Sequence, residues 1–499
     1  MEYSVIDRPI ISVMTEDGTE NIVSLRELFE KAHKYRDLYA VSPLEWFSVL
    51  RFLVAFAMDM LHPKNHIERR KLFKAGMFSL GKFDEYVKMC ETNGSCFDLF
   101  DKNRPFMQSA YREEYDAKSE QPIASIVFHL QSGHSHMFYD HRLENEHKLT
   151  IPQAFRALLT SYAFSLYTGA GGGNTGGYSN AVNGRTPLYI SAIGKNLFET
   201  IVINMLSIDE TGRGSNYYGV GDVPWRKYRV IEPGARVADI TLLEGLLFMP
   251  RRLLLLPKDD GTVDHVIRQR GLDFVGRQTS SWRDPNTSRK AKKDGSIKLF
   301  LASEGIDIWR NVDAFIPETN NENISLPLVI TNYQQLYDDD NGIPVNLTLR
   351  ALGLLANNSK VTGWCDNTLV LPSGLITSPE KGEIFCNDLN FVKQVYEQIK
   401  KSNKICARLI GSKLYDRKFL LEAEKILYSP KNLDEILHGE SVNVHKESFA
   451  KQMEVILDKM LSQLRKNCSD YSKNMCALIV YEDEIRKSYA KKKKSWLKK

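Results

Sequence analysis

Five histidines, His129, His134, His136, His141 and His147, fall within nineteen residues of one another, beside Asp140. Imidazole and carboxylate ligands at that density could serve a metal-dependent nuclease, with His134, His136, Asp140 and His141 as its centre. No HExxH motif and no paired cysteines accompany them, and the segment is polar, so solvated loop histidines explain the cluster better. Asp338-Asp339-Asp340 could hold a cation, but the following Asn341-Gly342 completes a composition suited to a hairpin turn. No GxSxG, paired-carboxylate signature or telling Cys–His arrangement completes a catalytic set.

A different chemistry is offered by Thr168 to Gly177, which carries six glycines in ten residues. Glycine lacks a Cβ, so such a run brings backbone N–H groups close to a ligand, at an entropic cost that an ordered loop must offset by contact. The run lacks the GxxxxGK[ST] phosphate-loop pattern, and it follows a helical stretch where a dinucleotide fingerprint needs a strand. A flexible linker is one reading, and backbone contact to a phosphate or base edge is the other. Basic runs occur at Arg268-Gln269-Arg270, at Arg289 to Lys293, and at Lys491 to Lys494 with Lys498 and Lys499. Each is explained by a solvated face, yet together they could track phosphates. Trp282-Arg283-Asp284-Pro285 sets an aromatic beside the middle run, and core packing explains that tryptophan equally well.

These segments must be held by elements that the pattern also predicts. Ser42-Pro43-Leu44-Glu45 is a capping box with proline at N1, opening a buried helix to about Leu61. Leu188 to Ile193 reads as strand and Leu197 to Leu206 as helix. Leu328 to Leu336 and Val345 to Leu355 read as strands joined by the Asp338 to Gly342 turn. Helical periodicity dominates afterwards, over Asn387 to Lys401, Asp416 to Leu427, Lys446 to Leu464 and Asp470 to Lys494. The expected fold is therefore α+β: a large mixed α/β domain over residues 1–378, then a C-terminal four-helix bundle over 379–499.

At 499 residues the chain suggests about two to four domains. Its 42% hydrophobic and 26% charged residues suit a soluble globular protein. A net charge of +5 is modest, so any nucleic-acid binding must come from local patches. The seven cysteines form no CxxC pair, which favours reduced thiols and a cytoplasmic location. The N-terminus is not a signal peptide. The most apolar stretch, Leu44 to Leu61, is interrupted by Glu45, Arg51 and Asp59, so no membrane span is expected.

Several segments, taken in order, resemble the CasA family, the large subunit of the type I-E CRISPR surveillance complex (Cascade). Phe97-Asp98-Leu99-Phe100 with Arg104-Pro105-Phe106-Met107-Gln108 is similar to the family's FDLF…RPFxQ. Met137-Phe138-Tyr139-Asp140-His141 resembles its LFDH loop, and Ile151 to Leu159 the helix that follows. Gly169 to Gly173 resembles its glycine loop, and Ile193 to Thr200 with Asn204 the next strand-to-helix segment. Leu349 to Gly353 precedes Asn357-Asn358-Ser359, where the family places a β-hairpin wedge.

The resemblance implies a protein without enzymatic activity that reads a protospacer-adjacent motif in double-stranded DNA from the minor groove. It implies Gly171, Gly172 and Gly173 as the readers, with Arg270 and Arg277 as candidates for an assisting cation. Phe138, Tyr139 and Asp140 would form the loop that supports the motif and contacts the RNA handle. Asn357, Asn358 and Ser359 would be the duplex wedge that starts the R-loop, with asparagine where relatives commonly carry glutamine. The implied partners are CRISPR RNA, target DNA, the backbone, small and 5′-handle-binding Cascade subunits, and a helicase-nuclease recruited in trans. Some relatives carry a zinc-type cysteine cluster that this chain lacks, so neither metal nor cofactor is expected. A stand-alone nucleic-acid-binding scaffold is the remaining alternative.

Overall fold

The computed structural model describes residues 1–130, 147–167, 180–209, 219–276, 282–291, 296–302, 316, 324–337, 346–357 and 360–378, then parts of 380–400 and 451–462, and 472–497. The chain packs as two compact units, one of Met1–Gly305 with Asn323–Val370, the other of Ile306–Glu322 with Leu371–Lys499. Among the described residues no helix is long and apolar enough to cross a membrane.

The first unit is organised around α2 (Pro43–Leu61). Ser42 Oγ accepts from the Glu45 N–H at 3.2 Å, and proline fills the first turn. Only half of the predicted capping box forms. The Glu45 carboxylate is taken instead by Arg156, whose Nε lies 2.6 Å away and whose Nη1 donates to Ser12 Oγ. The helix ends at His62 in the left-handed conformation, its N–H returning to Met58 O. Almost every side chain of α2 is buried, as an all-round apolar helix requires. Phe52, 1% exposed, touches the rings of Phe56, Phe106, Phe155 and Trp225.

The three charges that interrupt α2 each meet a counter-charge. Besides Glu45–Arg156, Arg51 Nη1 lies 2.6 Å from Asp284 Oδ2, and Asp59 Oδ1 lies 2.6 Å from Arg226 Nη1. Asp59 also accepts from the Tyr86 hydroxyl. A buried charge persists only when it is paired and hydrogen-bonded, which these three are.

An N-terminal antiparallel sheet has the order β2 (Glu20–Val23), β1 (Ile11–Thr15), β3 (Tyr35–Leu38). Helices α1 (Leu25–Lys31), α3 (His66–Ala75) and α4 (Leu80–Thr92), each with a side-chain N-cap, surround the core. The short α5 (Glu113–Asp116) brings Asp116 to Arg252, a buried pair at 2.6 Å. In a second sheet β9 (Thr262–Arg270) pairs β8 (Arg251–Pro257) along one edge. Along the other it pairs β4 (Glu120–Pro122) and β5 (Leu149–Thr150). Two small pairings follow: β7 (Arg236–Val237) runs parallel to β10 (Asp273–Phe274), and β11 (Arg289–Ala291) lies between β12 (Ile297–Leu299) and β13 (Ile324–Ser325).

The sheet that matters most here has the order β15 (Lys360–Pro372), β14 (Asn346–Asn357), β6 (Tyr189–Ile193). The strands predicted over Leu188 to Ile193 and Val345 to Leu355 are thus neighbours in it. Helix α7 (Leu197–Asn204) follows β6, capped by Asn196. One expected strand is corrected. Leu328–Thr331 is helical and Tyr333–Leu336 a 3-10 turn. Their C-terminal carbonyls are satisfied from afar: Arg69 Nη2 donates to Asn332 O at 3.0 Å and Arg70 Nε to Gln335 O at 2.8 Å. The apolar run had the composition of a strand, but these two cations on α3 favour a helix end. The Asp338 to Gly342 turn lies outside the described residues.

In the second unit the described residues of 380–400 and 451–462 are helical, and a C-terminal helix runs over Ser472–Leu497. Ile485 and Tyr489 of that helix are buried, as are Leu457 and Leu461 one turn apart. Phe391 packs on Tyr489 at 5.9 Å between ring centres, and Lys493 pairs with Glu454 at 2.7 Å. The predicted helix Asp416 to Leu427 lies outside the described residues. Among those described, Cys90, Cys96, Cys365 and Cys386 are free thiols.

Candidate nucleic-acid interface

The glycine run is framed by α6 (Ile151–Phe164) and by β6. Thr150 and Gln153 form a reciprocal capping box at the start of α6, with proline in its first turn. Its apolar residues recur all round, and most of the helix is buried. Beyond Phe164 the chain enters a closed neck. The Ala181 N–H donates to Ser165 O at 2.8 Å, and the Tyr167 N–H donates to Asn180 Oδ1 at 2.8 Å. Arg251 Nη2 donates to Leu166 O at 2.7 Å, so the entering strand is held on a third side. Residues 168–179 leave and return through this neck. Gly171, Gly172 and Gly173 lie outside the described residues.

Arg270 is the last residue of β9 and sits opposite Arg251 in the antiparallel register. Directly opposite residues share a face of the sheet, so Arg270 stands one strand away from the arginine that holds the loop's entry. Its half-buried guanidinium lies on Gly234, whose φ is +75°; a Cβ there would come within 2.6 Å of Arg270 Nε. The run Arg268-Gln269-Arg270 is therefore no solvated face. Gln269 is buried and donates to Tyr115 O and Ser119 Oγ, while Arg268 Nη1 donates to Gln121 Oε1 at 3.2 Å. Within the middle basic run, Lys290 of β11 lies opposite Lys298 of β12, and both are exposed. Arg277 lies outside the described residues.

The hairpin tip is reached through β14. Its pairing with β6 runs from Thr348↔Ile193 to Leu352↔Tyr189. Because the strands are antiparallel, β14 continues past Leu352 toward the side from which the glycine run enters β6. Asn357 ends β14 five residues further on, about 17 Å along the strand. Gly353 lets β14 lie flush there, since a Cβ would meet Ala302 Cβ at 2.6 Å and Pro187 O at 2.8 Å. Arg350 and Asp366 brace the hairpin with two parallel hydrogen bonds of 2.8 and 2.7 Å, and the guanidinium stacks on Trp46 of α2. Asn358 and Ser359, between β14 and β15, lie outside the described residues.

A buried polar cluster sits where the glycine run returns. Asn183 Nδ2 donates to Asp284 Oδ2 at 2.6 Å and to the Tyr189 hydroxyl at 3.2 Å, and Asn183 Oδ1 accepts from Trp282 Nε1 at 3.2 Å. Asp284 also receives Arg51 and the Asn286 N–H. Burial pushes the Tyr189 phenol up, with the Asp284 charge acting the same way, so it stays neutral. The sequence set Trp282 and Asp284 beside a basic run, and core packing is the reading that holds for this buried tryptophan; the cluster as a whole was not legible. Arg51 was visible only as an interruption of an apolar helix, and Asn183 carried no signal.

The histidine segment is entered near a 3-10 turn (Ile123–Ile126) and left through β5. His129 and His147 flank it, His147 being buried. Burial holds the His129 pKa below the usual imidazole value, and His147 adds to the effect. A histidine kept neutral in the fold stabilises fully above its unfolded pKa of about 6.5, and that contribution is lost as pH falls through the lower folded value. We expect denaturation midpoints of wild type and His129→Asn to diverge less at pH 5.5 than at 7.5; parallel pH profiles would refute this. His134, His136, Phe138, Tyr139, Asp140 and His141 lie outside the described residues. Among the described residues no three His, Cys, Asp or Glu side chains are grouped to hold a metal ion.

Comparison with known proteins adds a family to this geometry. The profile of the CRISPR-associated protein Cse1 family matches residues 5–491. A CRISPR-associated protein CasA/Cse1 from Thermus thermophilus is 25% identical over 424 residues, covering 83% of this chain and 79% of the relative. The solved Thermus thermophilus CasA (Cse1) superposes with a TM-score of 0.78 at 19% identity, over 98% of this chain and 99% of that one. A chain of a CRISPR RNA-guided surveillance complex superposes with a TM-score of 0.76 at 15% identity, over 97% of this chain and 99% of that one.

Proposed function

The chain belongs to the CRISPR-associated Cse1 family, and from that premise we propose that it is the large, non-catalytic subunit of an RNA-guided, Cascade-type surveillance complex. In this reading the guide RNA supplies sequence specificity by base pairing, and the subunit reads a short flanking motif on duplex DNA. Gly171, Gly172 and Gly173 present side-chain-free backbone to the minor groove, which is about 6 Å wide. Their N–H groups meet the acceptors common to all base pairs, and their close approach tests for the guanine amino group. Arg270 and Arg277 supply positive charge beside the loop. Asn357, Asn358 and Ser359 wedge the first base pair apart, and Phe138, Tyr139 and Asp140 support the motif and contact the RNA handle. The C-terminal helices, a four-helix bundle in this proposal, contact neighbouring subunits and the displaced strand and leave cleavage to a helicase-nuclease recruited in trans.

The observation that carries the reading is the shared placement of the two elements that would read and open the duplex. The residues on either side of the glycine run, 165–167 and 180–181, form a hydrogen-bonded neck. The strand that the run enters pairs with β14, which carries the hairpin tip toward the same side. The complex bound to target duplexes with randomised flanks tests the proposal. A Gly172→Ala complex is expected to lose affinity and to shift its flank preference. Unchanged preference and affinity would remove the glycine run from motif reading.

A further inference from the structure

Two segments that carry candidate readers return to the fold beside one another. The glycine run comes back through Asn180 and Ala181, two residues before Asn183. The segment holding Arg277 comes back at Trp282, two residues before Asp284. Asn183 bonds to both Trp282 and Asp284. The chemistry of this link is restrictive. A carboxylate needs a donor and an indole N–H needs an acceptor, and one asparagine amide supplies both in a single orientation. Aspartate would set one carboxylate against another, and an aliphatic side chain would take the acceptor from the indole N–H and one donor from the carboxylate.

The link is also fixed to the core. Arg51 Nε and Nη2 donate to Leu246 O and Gly245 O at 2.8 and 3.0 Å, at the end of a short helix (Leu242–Leu246), while its Nη1 pairs with Asp284. Gly245 is the position against which Trp282 rests, since a Cβ there would stand 2.3 Å from the indole. Asn183, Asp284, Arg51 and Trp282 are all buried, so none of them can touch a ligand.

The geometry points to Asn183 as a positioning residue that locks the returns of residues 168–179 and 277–281 into one fixed spacing, so that the glycine run and its assisting cation meet the duplex as a unit. This inference rests on the reading of the glycine run as the motif reader. It adds that the flank selectivity of that reader is set by a buried asparagine that never meets DNA.

The test uses the assembled RNA-guided complex and randomised-flank duplexes, with the ratio of best to worst flank affinity as readout and thermal unfolding alongside. Trp282→Phe, which removes one buried hydrogen bond of the link, is expected to lower that ratio about fivefold, and Asn183→Ala, which removes that bond and those to Asp284 and Tyr189, at least as much. The double variant is expected to lower it no further than Asn183→Ala alone, because both act through one link. A purely structural asparagine would lower the melting temperature and leave the ratio within about twofold of wild type, and that result overturns the inference. Additive losses in the double variant overturn it as well. Should Asn183→Ala fail to assemble, Trp282→Phe, which keeps an aromatic ring and removes the N–H, decides alone. If Gly172→Ala shifts the preference while Asn183→Ala and Trp282→Phe do not, the glycine reading stands and this inference falls. If none of the three does, both fall.

Discussion

Asp284→Ala is expected to destabilise the first unit by about 3–5 kcal/mol, because it leaves Arg51 buried without a counter-charge. Arg51 is 5% exposed, and its Nε and Nη2 hydrogen bonds go to carbonyls, which cannot replace a carboxylate. Asn183 Nδ2 and the Asn286 N–H lose their acceptor at the same time. Equilibrium urea denaturation of the purified chain measures the loss. The double substitution Arg51→Met with Asp284→Leu should recover part of it, since an apolar pair removes the stranded charge while leaving Asn183 under-bonded. A loss below about 1 kcal/mol for Asp284→Ala would mean that water reaches the pair, contrary to its burial.

Phe52→Ala is expected to cost about 3–5 kcal/mol by a different route, the loss of transfer energy together with a cavity. Phe52 stands where α2 crosses the rest of the core, with four aromatic rings around it within 6.2 Å. Those rings come from α2, α6 and two connecting segments, so no single element can move in to close the hole. Phe52→Leu should cost much less. Denaturation of the two variants side by side checks this, and equal losses would argue for a collapsed site.

The elements most legible in the sequence were those whose signals are local. Ser42 with Pro43 announced the start of α2, and the strand over 188–193 and the helix after it stand within a few residues of their predicted ends. Local signals failed where a distant side chain decides. Leu328 to Leu336 looked like strand until Arg69 and Arg70 were seen to bond its carbonyls. Glu45 looked like half of a capping box, but Arg156 claims its carboxylate. The candidate interface divides in the same way. The glycine composition was plain, whereas the neck that holds it depends on Asn180, Ala181 and Arg251, none of which stands out alone. Arg270 read as part of a basic run and is a half-buried strand end. The hairpin tip at Asn357 came from resemblance, because nothing in Asn357-Asn358-Ser359 by itself distinguishes that turn from any other.

The pairing of β6 with β14 also fixes an order of events in folding. Tyr189 has no strand partner on that edge until Leu352 has been synthesised, and Arg69 waits for Asn332 across 263 residues of chain. Contacts of such long range are slow to form, because the entropy of closing the intervening loop is lost before they contribute. The strand that receives the glycine run is therefore completed late, during or after synthesis of the last strands of the first unit. A nascent chain paused before residue 346 should expose the β6 edge to proteases and chaperones, however complete its N-terminal core.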